Sequence, residues 1–153
     1  REDAPFASDW FNGRRSPDPN PSLRATVSGL GLATDAADVY YAIVEATAFG
    51  VKAMVDTLVD NGVALESITA IGGIAVKSPF IVQFLADVLG MDIFVPNLTQ
   101  ACGLGSAINA AVASGCWPTL IDAQKAMCVT EGVKYTASSA RDFTSRYARY
   151  RNM

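Results

Sequence analysis

The sequence contains no histidine, which excludes Ser-His-Asp and Cys-His nucleophiles and imidazole proton shuttles. Any acid or base must therefore be Asp, Glu, Lys, Tyr or Cys. Cysteine is scarce and odd in number: Cys102, Cys116 and Cys128 show no C-x-x-C spacing. This argues against a zinc site and a disulfide framework and fits a reducing cytoplasm. Positive charge is not in excess, with 12 Lys and Arg against 15 Asp and Glu, so there is no basic field for nucleic acid. No stretch of about 18 apolar residues is free of charges or turn residues. The opening REDAPFASDW is unlike a signal peptide, so a soluble protein with no membrane partner is expected. Repeats and low-complexity segments are also missing.

What is present is material for a core. With 153 residues, 50% hydrophobic and 18% charged, the chain is expected to form one α/β domain over 1–153. Residues 1–35 read as an extended segment and loop, and 36–153 as the α/β core. The chain opens on Arg1 and not on methionine, which is read as a piece of something longer.

APFASDWF over 4–11 suits a strand or extended segment, and the proline- and glycine-rich run 12–32 an ordered surface loop. Asp35, with Asp38 three residues on, predicts a capping box for a helix over 36–60, which Gly62 ends. Ile68–Ile71 reads as a buried strand, followed by Gly72-Gly73. Ser78 as N-cap and Pro79 as first helical residue start a helix that Gly90 stops, and 91–95 forms a second strand closed by Pro96. Strand, helix and strand predict a β-α-β unit with parallel strands. The small-residue run 103–114 reads as a helix suited to close packing. A short helix is expected from Pro118 to about Met127, and a terminal one capped by Ser138 or Ser139.

AIGGIAVKS, over 70–78, is the first candidate for chemistry. Glycines after a strand let a ligand approach the backbone, yet the run matches neither the P-loop nor the dinucleotide fingerprint. On physics alone it is either a ligand turn or a structural corner. Lys77 and Ser78, at the mouth of the same helix, are most simply a solvated charge and a cap. Arg14-Arg15 in a turn could grip a phosphate, although surface arginines usually do nothing of the kind. Asp35, Asp38, Glu45, Asp56 and Asp60 are accounted for by capping and solvation, with no support for paired-carboxylate catalysis. The C-terminal arginines, interleaved with Tyr147 and Tyr150, read as a solvated helix face.

Ala25-Thr-Val-Ser-Gly29-Leu30, seven residues, then Asp38-Val-Tyr-Tyr-Ala42-Ile43-Val44-Glu45 resembles the second signature of the FGGY family of carbohydrate kinases. The surrounding order agrees: DWFNGRRSP before it, then EATAFG, AIGGIAVKSPFIVQFLADVLG and CGLGSAINAAVASG. DWFNGRRSPDPN and EATAFGVKAM look most like the members that phosphorylate ribulose in arabinose breakdown. The resemblance covers about Asp9 to Tyr150.

The resemblance implies a ribonuclease H-like, actin-like ATPase fold, of which this chain would be a partial second domain. It implies ATP and Mg²⁺ as cofactors of the full-length enzyme, and a sugar substrate held through an upstream domain. Gly72 and Gly73 would pack on adenosine, Lys77 would reach the nucleotide where several relatives have Asn, and a loop around Gly103 would close the adenine side. The aspartate base and the phosphate-binding turn belong to segments upstream of Arg1, so the chain is expected to hold no catalytic residue and to be inactive alone. Uncovered surface would leave homodimerisation open. The alternatives are a non-catalytic nucleotide- or partner-binding module of the actin-like superfamily, and a structural α/β domain without ligand.

Overall fold

The computed structural model describes residues 4–153, and Arg1–Asp3, part of the stretch unlike a signal peptide, lie outside the described residues. Near the start, β1 (Phe6–Ala7) pairs antiparallel with β2 (Val27–Ser28), closing the expected surface loop into a ladder. Residues 12–32 are exposed or half-buried throughout, as expected of a surface loop, while Trp10 just before them is buried.

The capping box forms as expected at α1 (Ala36–Asp60): Asp35 accepts from the Asp38 N–H at 2.9 Å, and Asp38 accepts from the Asp35 N–H at 3.2 Å. The chain leaves α1 through Asn61 and Gly62, the latter at φ +83°. Then come β3 (Ile68–Thr69), α2 (Gly73–Lys77), α3 (Pro79–Leu89) and β4 (Ile93–Pro96). β3 and β4 are parallel, with Ile68 opposite Ile93 and Thr69 opposite Phe94, which is the predicted unit. The expectation of a buried strand at 68–71 is corrected. In the order β3-β4-β5, β3 has one neighbour among the described residues, so Ile68 is half-buried while Thr69 and Ile71 are exposed.

α4 (Ala101–Ala113) lies close against α5 (Leu120–Met127), as its small residues lead one to expect, although only Ile108 of α4 is buried. Thr119 caps α5 by accepting from the Asp122 N–H at 3.2 Å. β5 (Gly132–Tyr135), which the sequence reading did not anticipate, runs antiparallel to β4 with Gly132 opposite Pro96. It needs glycine there, because a Cβ would lie 2.3 Å from the Val95 carbonyl oxygen. The terminal helix α6 (Thr144–Arg151) starts later than expected: Ser138 accepts from Ala140 instead, and Asp142 accepts from the Thr144 N–H at 2.8 Å.

α3 lies between two cores. Phe84 and Val88 join Phe6, Val44 and Phe49 on the α1 side, whereas Val82 and Ala86 join Ala75, Ile93 and Val95 on the sheet side. Each such large apolar side chain contributes about 1.5–3 kcal/mol relative to exposure. α6 completes the first core, with Phe143, Tyr147 and Tyr150 around Phe49 at ring-centroid distances of 6.4, 5.5 and 5.7 Å. Its aromatic residues are thus packing residues, a correction to the solvated face. Among the described residues no helix is long and apolar enough to cross a membrane.

Candidate functional site

Because β3 and β4 are parallel, their carboxyl ends lie at one end of the sheet, the usual place for ligands in α/β folds. Gly72 follows β3 there, and α4, which carries Gly103, follows β4. The sequence candidates Gly72, Gly73 and Gly103 therefore share an end of the sheet. Gly103 is not in a loop, however, but in the first turn of α4.

The glycines differ in why they are glycine. Gly72 sits at φ +97°, ψ 175°, a conformation that side-chain-bearing residues rarely adopt. Gly73 has no positive φ, and among the described residues no atom outside its chain neighbours and its own helix lies within 4 Å of where its Cβ would be. For Gly103 the nearest is the Gln100 Cβ at 3.7 Å, an ordinary contact. Among the described residues no crowding atom requires glycine at 73 or 103. Ile71 and Ile74, on either side of Gly72 and Gly73, are exposed.

Lys77 ends α2, is exposed, and among the described residues makes no hydrogen bond or ion pair. Ser78 does not cap α3 with its side chain, a correction; its N–H closes α2 on the Ile74 carbonyl at 2.9 Å, while Pro79 occupies the first helical turn as expected. Among the described residues no three His, Cys, Asp or Glu side chains converge as a metal cage.

Glu45 is corrected outright. It is 2% exposed, and both its oxygens accept from Arg146 Nε at 2.9 Å. Arg146 also donates to the Pro5 carbonyl at 2.9 Å and lies over the Phe6 ring. Asp56 accepts from the Tyr147 hydroxyl at 2.6 Å and from Lys52 Nζ at 2.9 Å. Burial resists ionisation of Asp56, but these two donors outweigh it and hold the carboxyl below the usual range. Burial first, then the bond to Asp56, pushes the Tyr147 phenol up to about 12. The Tyr150 hydroxyl donates to Asp9 at 2.7 Å, and Gly50 lets that carboxylate in, since a Cβ at 50 would lie 2.5 Å from Asp9 Oδ2. Glu45 and Gly50 within EATAFG thus hold the fold together. Their roles were hidden in the sequence because the partners Arg146 and Tyr150 lie about a hundred residues away.

The model for the FGGY family of carbohydrate kinases, C-terminal domain, matches residues 2–114. A ribulokinase of Vibrio parahaemolyticus is 43% identical over 151 residues, which is 97% of this chain and 27% of that protein. One of Bacillus licheniformis is 44% identical over 110 residues, 72% of this chain and 20% of that protein. Among solved structures, a xylulose kinase from Bifidobacterium adolescentis is 28% identical with a TM-score of 0.72, covering 97% of this chain and 28% of that one. A structure titled as a xyloylose kinase from Brucella ovis reaches a TM-score of 0.82 at 20% identity, over 97% of this chain and 31% of that one. The chain thus spans about a quarter of these relatives.

Proposed function

The chain belongs to the FGGY family of carbohydrate kinases, and from that premise we propose that it is the adenosine-holding portion of a ribulokinase-like, ATP-dependent sugar kinase. In this reading residues 1–153 form one body, part of a ribonuclease H-like, actin-like second domain of a cytoplasmic enzyme. Gly72 and Gly73 lie against the nucleoside, Lys77 reaches toward it, and Gly103 borders the adenine. The whole enzyme transfers the γ-phosphoryl group of ATP to a ribulose hydroxyl, chiefly by positioning the reactants. The base, the Mg²⁺-bearing phosphates and the sugar are handled outside this chain, which is inactive alone. The apolar side chains Ile71, Ile74 and Val76, exposed beside the open edge of β3, are assigned to contact with the remainder of the kinase.

The observation that carries this reading is a pair of glycines that no crowding atom among the described residues requires. Gly73 and Gly103 have neither a positive φ nor a crowding atom, yet they stand at the carboxyl end of the parallel strands. In the full-length kinase, Gly73→Arg is expected to raise the KM for ATP by about tenfold or more, roughly 1.4 kcal/mol of lost binding, with the sugar KM and Tm unchanged. Gly31→Ala, at an equally uncrowded glycine, serves as control. An ATP KM that Gly73→Arg leaves unmoved sinks the assignment.

A further inference from the structure

Arg14 and Arg15 have no part in the reading above, and their surroundings form a cavity. The turn that carries them is rigid: Arg14 N–H donates to the Asn20 carbonyl at 2.9 Å, and Asn20 N–H returns the bond at 2.8 Å. Gly13, at φ +77°, packs so closely on Pro21 that a Cβ would lie 2.7 Å from its Cα. Arg14 Nε donates to the Asp18 carbonyl at 2.8 Å, and its guanidinium stacks on Trp10 at 5.2 Å. These contacts fix the fork of Arg14 while leaving its two terminal nitrogens unused. Among the described residues Arg15 makes no hydrogen bond or ion pair, so all its donors remain available.

The turn borders a cavity of about 380 Å³, walled on the α1 side by Val51 and Met54 and also lined by Tyr150. Met54 is 39% exposed, an uncovered apolar side chain beside two guanidinium groups. Asp9 is the one carboxylate there, and it is engaged by the Tyr150 hydroxyl, so cationic charge predominates. Tyr150 comes from α6, which lies beyond the matched residues 2–114, so the cavity is completed by a part of the chain that the family model does not cover.

We propose that this cavity binds a small organic phosphate monoester, with the phosphate on Arg14 and Arg15, helped by the Ser16 hydroxyl, and the apolar body on Val51 and Met54. Planar guanidinium groups match phosphate oxygens bidentately, and a rigid turn loses little entropy when the ligand docks. The site is separate from the turn at Gly72.

Phenyl phosphate, inorganic phosphate and phenol, titrated calorimetrically into the 153-residue chain, test the proposal. Saturable binding is expected for phenyl phosphate, weaker binding for inorganic phosphate and none for phenol. Arg15→Gln, at an exposed side chain without partners among the described residues, should weaken phenyl phosphate by about tenfold with the circular dichroism spectrum intact. Met54→Ser should weaken phenyl phosphate and leave inorganic phosphate unchanged. Equal affinity of Arg15→Gln and the unaltered chain, or no saturable heat up to about 10 mM, overturns it. Displacement of phenyl phosphate by ATP would make the cavity a nucleotide-phosphate subsite and overturn it as well.

Discussion

Arg146→Met is the most informative single perturbation of this fold. The guanidinium it removes is only 15% exposed and holds the carboxylate of Glu45, which is 3% exposed on its side chain, through Nε at 2.9 Å to both oxygens. Two unit charges about 4 Å apart attract by about 4 kcal/mol at an effective dielectric constant of 20. Desolvation offsets most of that gain while the pair is intact, but once Arg146 is gone Glu45 keeps its desolvation cost with nothing in return. The Pro5 carbonyl loses its donor at the same time. The expected loss is therefore about 3–5 kcal/mol, a large part of the 5–15 kcal/mol typical of a domain. In a chain of this size that corresponds to a fall in Tm of roughly 6–20 °C. Urea unfolding followed by circular dichroism measures it. The double variant Glu45→Leu/Arg146→Met removes both charges and should recover most of the loss, because the well-packed apolar pair leaves no buried ion. A loss below about 1 kcal/mol for Arg146→Met, or a double variant no better than the single, would refute the reasoning.

Two further outcomes follow from local geometry. Gly132→Ala should force β4 and β5 apart, because the new Cβ meets the Val95 carbonyl oxygen at 2.3 Å and the Pro96 Cα at 2.8 Å. The cost is about 1–3 kcal/mol, with faster amide exchange at Val133 as the local sign, and unchanged exchange would count against it. On spectrophotometric titration, Tyr147 should ionise near pH 12, after tyrosines of ordinary pKa. Its folded pKa lies above the unfolded value near 10, so its stabilising contribution is full below pH 10 and is lost as the pH rises toward 12. Tyr147→Phe should abolish that late step and raise the pKa of Asp56.

Local patterns were the legible part of the sequence. The capping box at Asp35 and Asp38 and the apolar spacing of 36–60 define α1 without help from the rest of the chain. The unit β3, α3 and β4 was equally readable, since glycine and proline punctuate it, whereas the short helix α2 inside the glycine segment was not anticipated. Distant pairings were not. GVKY over 132–135 carries no strand signature of its own and becomes β5 only against β4. Glu45 looked like one more charge on a helix until Arg146, 101 residues on, was seen against it. The glycine turn was legible as a turn, but the distinction between Gly72, whose conformation demands glycine, and Gly73, which no crowding atom among the described residues demands, needed coordinates.

The packing of Phe49 by Phe143, Tyr147 and Tyr150 also bears on the order in which the protein comes into being. On the ribosome, α1 is made about a hundred residues before the helix that closes its core, and loop closure over that span is costly and slow. Until α6 emerges, the aromatic face of α1 is covered by Phe6, Trp10 and α3 but lacks Phe143, Tyr147 and Tyr150. Folding of this region is therefore timed by the synthesis of its most distant partner, and a nascent chain stalled before residue 143 should remain protease-sensitive around Phe49 although α1 itself is complete.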